Sequence, residues 1–360
     1  MRQPLFVNNP DYYANIFISK IKRYVKYYNI FFLYGISHKR TIELILEEFP
    51  EITFIIADDI SIINLLKFSY ENDNKYKYIP ISGDETDIEK INKYRRENDM
   101  PKFDVACVNA PYENNFHLVF LQNIIDNCAN LVINIGPYTW MAKHYRWKPT
   151  FLKYKETSVG KPTEIVILSH RESNDLFSTG NSNENLAISV YDNQNPNKLD
   201  ILKFDFVDEI EFSIYIKIFT EKPDKYILRN NKNIVETNKV TKKYTRPINI
   251  WRTGNDCFDT ILGMSKKMKN GKSQWCFQCD TEKEIINFEN SMKTKFMNWF
   301  CKNIIAAAYY KIHMTAFVMN DYTLPWTDSR FCNYFNITGY IDDEHAESGS
   351  EWERILNTYK

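Results

Sequence analysis

Asn109-Ala110-Pro111-Tyr112 is the stretch of this chain whose residue types and order have the clearest chemical use. A side-chain amide oxygen, from Asn109, and the next carbonyl, from Ala110, can together accept both hydrogens of one NH2 group. An exocyclic amine on a flat ring is a poor nucleophile because its lone pair is delocalised into the ring. Holding both hydrogens turns that lone pair toward an incoming methyl group. Pro111 stiffens the direction of the Ala110 carbonyl, since its ring fixes φ and restricts the residue before it. Tyr112 offers a ring on which an extruded base can stack. The plainer alternative is a tight turn after a strand, with a core tyrosine.

The elements around this stretch alternate. "NIFFLYGI" (29–36), "EITFIIADD" (51–59), "YKYIPISGD" (76–84) and "FDVACVN" (103–109) are short apolar runs and read as buried strands. "HKRTIELILEEF", "ISIINLLKFSYEN" and "FHLVFLQNIIDNCA" carry apolar residues at helical spacing between them. "NLVINIGPYTW" reads as a fifth strand, and "TEIVILSHR" and "LAISVYD" as two more. Strands alternating with helices imply parallel crossovers, hence an α/β, doubly wound, mostly parallel sheet covered on both faces. Ligands of such sheets bind beyond the carboxyl ends of the strands. Gly35, Asp58, Asp84 and Asn109 all fall there.

After about residue 195 the rhythm changes to Lys-rich strand-like pieces and turn signals such as "RNNKN", "RTGND" and "KNGKS". A helical segment returns at "EKEIINFENSMKTKFMNWFCKNIIAAAYY". The expected organisation is two domains, 1–195 and 196–360.

The Asn-Ala-Pro-Tyr stretch resembles the Asn-Pro-Pro-Tyr signature of amino-methyltransferases, especially the DNA adenine-N6 methyltransferases of restriction–modification systems. The unit "MPKFDVACVNAPYENNFHLVFLQNIIDNCANLVINIGPYTWM" is similar to that family throughout. So are "FENSMKTKFMNWFCKNI" and "LPWTDSRFCNYFNITGYID", about 200 residues further on. The resemblance implies a seven-stranded Rossmann-like methyltransferase sheet whose last two strands form an antiparallel pair, and S-adenosylmethionine as cofactor. It implies that Asp58 meets ribose hydroxyls, that Asp84 accepts from the adenine amine of the cofactor, and that Gly35 and Pro10 border the methionine end. It also implies a second, α+β domain that recognises DNA while the catalytic pocket receives a flipped base. The cofactor loop departs from the pattern. It reads "LYGISHKRT", with Gly35 alone and with Ser37 and His38 where small residues are expected, and upstream Asn9-Pro10 replaces Thr-Pro. His38 reads as a loop histidine; the reaction needs no general base, because the amine proton can leave to water.

Composition bounds the rest. The chain has 360 residues, 44% apolar and 26% charged, which is ordinary for a globular protein. No apolar run approaches the ~20 residues of a membrane span, and "MRQPLFVNNPDYY" lacks a signal-peptide core, so the expectation is a cytoplasmic protein of a bacterial or virus-infected host cell. Seven scattered cysteines argue against a disulfide framework. Cys276 and Cys279 form one CxxC in "QWCFQCD"; it reads as an alternating strand with Trp275 and Phe277 on one face, and no metal site is assigned. Formal net charge is zero, but from Lys217 to Lys272 fourteen Lys and Arg face five Asp and Glu, a local excess of nine. Within it Arg229, Lys242, Lys243, Arg246 and Arg252 are interleaved with Tyr226, Tyr244 and Trp251, a pattern suited to the phosphates of double-stranded DNA, or equally to a solvated surface.

Three readings remain open on sequence. The first is a site-specific DNA adenine-N6 methyltransferase with a restriction nuclease or other protein as partner. The second is an inactive methyltransferase-like chain that binds DNA or protein. The third keeps the chemistry on another acceptor, an RNA base or a glutamine side chain.

Overall fold

The computed structural model describes residues 6–24, 28–70, 73–112, 115–138, 140–141, 151, 153–178, 186–204, 208–219, 233–236, 239–248, 275–304 and 321–357. Two compact units divide the chain, Met1–Phe204 and Asp205–Lys360.

In the first unit the strands are β1 (Phe6–Val7), β2 (Ile30–Tyr34), β3 (Thr53–Asp58), β4 (Tyr76–Pro80), β5 (Phe103–Val108), β6 (Ala129–Pro137), β7 (Glu164–Ile167), β8 (Phe177–Ser178) and β9 (Leu186–Asp192). The helices are α1 (Pro10–Tyr24), α2 (Lys39–Glu48), α3 (Ile60–Ser69), α4 (Thr86–Glu97), α5 (Phe116–Asn123), continued by a π turn over Ile124–Cys128, and α6 (His170–Leu176). Seven strands form one sheet in the order β4-β3-β2-β5-β6-β9-β7. All neighbours from β4 to β6 are parallel, whereas β9 runs antiparallel to both β6 and β7. The expected antiparallel pair is therefore present.

The sheet forms because its strands are apolar on both faces. Phe31, Phe32, Leu33 and Tyr34 are all fully buried. Their side chains alternate between two cores, as period-two geometry requires. Phe32 and Tyr34 join Ala106, Val108, Phe120 and Ile91. Phe31 and Leu33 join Val105, Cys107, Tyr13 and Ile42 on the other face. At roughly 1.5–3 kcal/mol per buried large apolar side chain, this double burial decides the fold.

From β2 the chain moves to β3 and β4 on one side, then crosses to β5 on the other. The reversal leaves a crevice at the carboxyl ends of β2 and β5, the topological switch point.

Three expectations shift in detail. "SHR" does not extend β7; Ser169 caps α6 in a capping box with Glu172. Asp84 does not end its strand, since β4 stops at Pro80 and the chain turns through Gly83 at φ +71. The first unit runs past residue 195 because Leu199 N donates to Pro162 O, Ile201 N donates to Gly160 O, and Ile201 is buried.

The second unit has strands β10 (Ile234–Glu236), β11 (Tyr244–Ile248) and β12 (Trp275–Cys279), antiparallel in the order β10-β12-β11. Its helices are α7 (Glu209–Phe219), α8 (Glu282–Met292), α9 (Lys295–Ile304), α10 (Asp328–Phe335) and α11 (Glu351–Leu356). Phe277 stacks on Phe288 at 4.1 Å, and Phe296 on Phe331 at 4.9 Å. The single helix expected from "EKEIINFENSMKTKF…" is two. Asp328 accepts from Lys295 N (3.0 Å) and Phe296 N (2.7 Å) and so starts α9 afresh.

Candidate active site

The switch point is held together by backbone. Tyr34 pairs with Val108 in the β2–β5 ladder, and Asn109 N donates to Tyr34 O at 3.0 Å. Gly35 follows at φ +62, and a Cβ there would lie 2.5 Å from the Asn109 carbonyl oxygen. Only glycine permits both the left-handed turn and that approach. Gly35 N donates to Ala57 O, and Ser37, also left-handed at φ 57, sends its N–H to Asp58 Oδ2 at 2.8 Å. Two N–H groups of this turn are thus used within the protein.

The Asn-Ala-Pro-Tyr stretch sits beside that turn. Asn109 is buried at 4% exposure and Ala110 at 1%, while Pro111 and Tyr112 are half-buried. Among the described residues no hydrogen bond to the Ala110 carbonyl forms. The Asn109 oxygen is engaged: the Tyr112 hydroxyl donates to Oδ1 at 3.0 Å. Tyr112 also packs against the core face that contains Tyr13 and Cys107. In this arrangement Tyr112 is folded over the amide rather than presented as a stacking platform. A second donor reaching Asn109 Oδ1 would share the oxygen with this hydroxyl or displace it.

The acids divide by their position in the pleat. Asp58 ends β3 facing inward, 1% exposed, with Oδ1 accepting from Asp59 N and Oδ2 from Ser37 N, each at 2.8 Å. Burial pushes its pKa up to about 6 against the opposing pull of those two N–H groups. Asp58 therefore ties the end of β3 to the Gly35 turn. Asp59, the next residue, is exposed; its Oδ1 caps α3 by accepting from Ser61 N and Oγ. Sequence reading missed Asp59, although an Asp two residues before a Ser at a helix start is a capping signal. Asp84 is exposed and accepts from Thr86 N and Oγ1 at the start of α4. Asp87, fully buried, was also missed. It accepts from Tyr34 Oη (2.9 Å), Ser82 N (2.9 Å), Gly83 N (2.6 Å) and Lys90 Nζ (3.1 Å), which fixes the end of β2 to the turn after β4.

Asn9 and Pro10 open α1. Asn9 Oδ1 accepts from Tyr12 N, and Pro10 takes the first helical position, where no N–H is needed. The Pro10 carbonyl accepts from Thr41 Oγ1 at 3.3 Å, so α1 starts beside the start of α2. His38 is a helix cap, its Nδ1 accepting from Thr41 N. Two further polar groups come to the site without a signal in the sequence. Tyr13 is fully buried, and among the described residues its hydroxyl makes no hydrogen bond of ordinary geometry. Its pKa is pushed well up, by burial first and then by Tyr112, with the Asn109 side chain opposing. His117, in the first turn of α5, lies edge-to-face on Tyr112 at 5.8 Å.

In the second unit Arg229, Arg252, Tyr226 and Trp251 lie outside the described residues. Lys242 pairs with Asp280 at 2.7 Å, Lys243 Nζ sits over the Tyr244 ring at 5.2 Å, and Arg246 lies on β11. Phe277 and Cys279 are buried on β12, and Cys279 Sγ donates to Thr281 O. Trp326-Thr327-Asp328 forms a double cap: Thr327 Oγ1 accepts from Arg330 N at α10, and Asp328 serves α9. No described helix is long and apolar enough to cross a membrane.

Neither a family model nor a curated protein matches the chain. Solved structures do. A dimethyladenosine transferase from Plasmodium falciparum is 17% identical over 60% of this chain and 71% of its own, with TM-score 0.36. The type I restriction-modification methyltransferase subunit from Streptococcus thermophilus is 12% identical over 54% of this chain and 46% of its own, TM-score 0.35. Human methyltransferase 10 domain containing protein is 12% identical over 53% and 85%, TM-score 0.33. With four parallel pairings from β4 to β6 and an antiparallel β9 between β6 and β7, the first unit is a doubly wound, mostly parallel, Rossmann-like sheet.

Proposed function

We propose that the chain is an S-adenosylmethionine-dependent methyltransferase acting on an exocyclic amine, with adenine N6 in double-stranded DNA as the acceptor. One observation carries this reading: the Asn109 carboxamide and the unengaged Ala110 carbonyl stand at the end of β5, against the Gly35 turn at the switch point. That is where a cofactor bound over β2 and an acceptor bound over β5 meet.

The donor set fits the adenosine end of the cofactor. Exposed carboxylates at Asp59, after β3, and Asp84, after β4, suit a ribose diol and an adenine amine respectively. Bound there, the cofactor supplies an electrophilic methyl on a sulfonium. The chain's own part is positional. Asn109 Oδ1 and Ala110 O accept the two amine hydrogens, and Pro111 fixes the angle between them. Burial of the pocket walls at Asn109 and Ala110 strengthens those bonds by excluding water. Lys242, Lys243, Arg246, Arg229 and Arg252 would neutralise phosphates, and a restriction nuclease is the partner this activity implies.

The test is transfer of tritiated methyl from S-adenosylmethionine to DNA. We expect incorporation by the full chain and a loss of about 10²-fold or more in Asn109→Ala, the scale of removing one fixed hydrogen-bonding group from a transition state. Equal incorporation by both proteins refutes the role given to Asn109.

A second reading, a methyltransferase-like chain that binds DNA without chemistry, is favoured by one observation. The Gly35 turn spends N–H groups on Ala57 and Asp58, and Tyr112 occupies the Asn109 oxygen. DNA binding with no cofactor uptake would select it.

A further inference from the structure

His117 is 8% exposed, and among the described residues neither ring nitrogen has a hydrogen-bond partner of ordinary geometry. Burial holds the ring neutral, its pKa lowered to about 4, and the Tyr112 carbonyl opposes that shift without completing a bond of ordinary geometry. A neutral imidazole carries one donor and one acceptor nitrogen. Leaving both idle in a buried position is unusual and calls for a use. The neighbour in edge contact is the Tyr112 ring, at 5.8 Å and 77°. The Tyr112 hydroxyl in turn sits on Asn109 Oδ1, the atom that an acceptor amine needs.

We propose that His117 is a positioning residue, the second seat of the Tyr112 hydroxyl. Tyr112 alternates between Asn109 and the imidazole, and an amine enters by displacing it from the first to the second. Resting on the reading of Asn109 as the amine's acceptor, this explains both oddities together. With Tyr112 on Asn109 the imidazole is idle. With an amine on Asn109, the phenol has a buried partner waiting. Each state leaves the Tyr112 hydroxyl bonded, so opening does not cost a phenol hydrogen bond.

The test needs neither donor nor acceptor. Unfolding of the full chain by urea is compared for His117→Phe in the native background and in Asn109→Ala, where the first seat is gone. In the native background His117→Phe removes two unpartnered polar atoms, and the unfolding constant should stay level or fall. In Asn109→Ala it removes the second seat as well, and the constant should rise about fivefold, the worth of one hydrogen bond. His117→Gln, which keeps a donor and an acceptor, should restore most of that loss. In a Tyr112→Phe background, with no hydroxyl to seat, the coupling should vanish. A His117→Phe effect that is the same within twofold with and without Asn109, or that survives in Tyr112→Phe, overturns the proposal. If methyl transfer fails while the coupling appears, the function is wrong and the two-seat tyrosine stands.

Discussion

Replacing Gly35 with alanine tests the close approach of β2 and β5 at the site. The new Cβ would sit 2.5 Å from the Asn109 carbonyl oxygen and 3.4 Å from its carbon. That carbonyl cannot retreat easily, because Asn109 N is bonded to Tyr34 O at 3.0 Å and Val108 is paired in the ladder. Holding an alanine at φ +62 costs roughly 1–2 kcal/mol. Opening the last rung between β2 and β5 costs about 1 kcal/mol more. We expect a loss of about 2–3 kcal/mol, which for a unit of this size lowers its melting temperature by about 4–12 °C. Circular dichroism melts of the full chain read this directly. Ser37→Gly is the control in the same turn. It relieves φ 57 but loses the bond from Ser37 Oγ to Gly35 O, and should change stability by less than about 0.5 kcal/mol. A Gly35→Ala loss below about 0.5 kcal/mol would refute the claim that backbone contact, and not ligand contact, fixes this glycine.

Asp58 predicts a pH effect of unusual sign. Its folded pKa is raised from 3.8 to about 6, so the folded chain holds the proton more tightly and stability falls as pH rises from about 4 to 6, by up to ~3 kcal/mol. His117, lowered to about 4, gives the opposite slope over a similar range, so urea midpoints of the chain should be compared with those of Asp58→Asn. The difference between the two proteins should shrink toward low pH; a pH-independent difference contradicts the account. In the second unit, Asp328→Ala removes the acceptor of two N–H groups and should cost about 2–3 kcal/mol, against about 1 kcal/mol for Thr327→Ala, as denaturation reads. If the basic segment binds duplex DNA, Lys243→Ala should lower the salt slope of binding by about one, and an unchanged slope removes it from the interface.

Much of the sheet was legible because parallel strands buried on both faces leave continuous apolar runs, as in Phe31 to Tyr34. Helix α4 was not. In "TDIEKINKYRRE" the buried apolar residue is Ile91, and the charged remainder hides the periodicity. The stop in "ENSMKTKF" was equally hidden, because the cap comes from Asp328, over thirty residues away. At the site, residue types showed the amide–carbonyl pair but not its occupancy. Whether Asp58 or Asp59 faces solvent depends on the pleat register at the end of β3, and one residue reverses it. The bond from Tyr112 to Asn109 and the idle imidazole of His117 are matters of rotamer and packing, which no spacing encodes.

The most direct measurement is a calorimetric titration of S-adenosylmethionine into the full chain. We expect saturable, one-site binding with Kd on the order of micromolar, weakened about tenfold by Asp59→Asn, which keeps the cap of α3 but removes the charge. No saturable heat up to about 1 mM would rule this out and leave a doubly wound scaffold without a methyl donor.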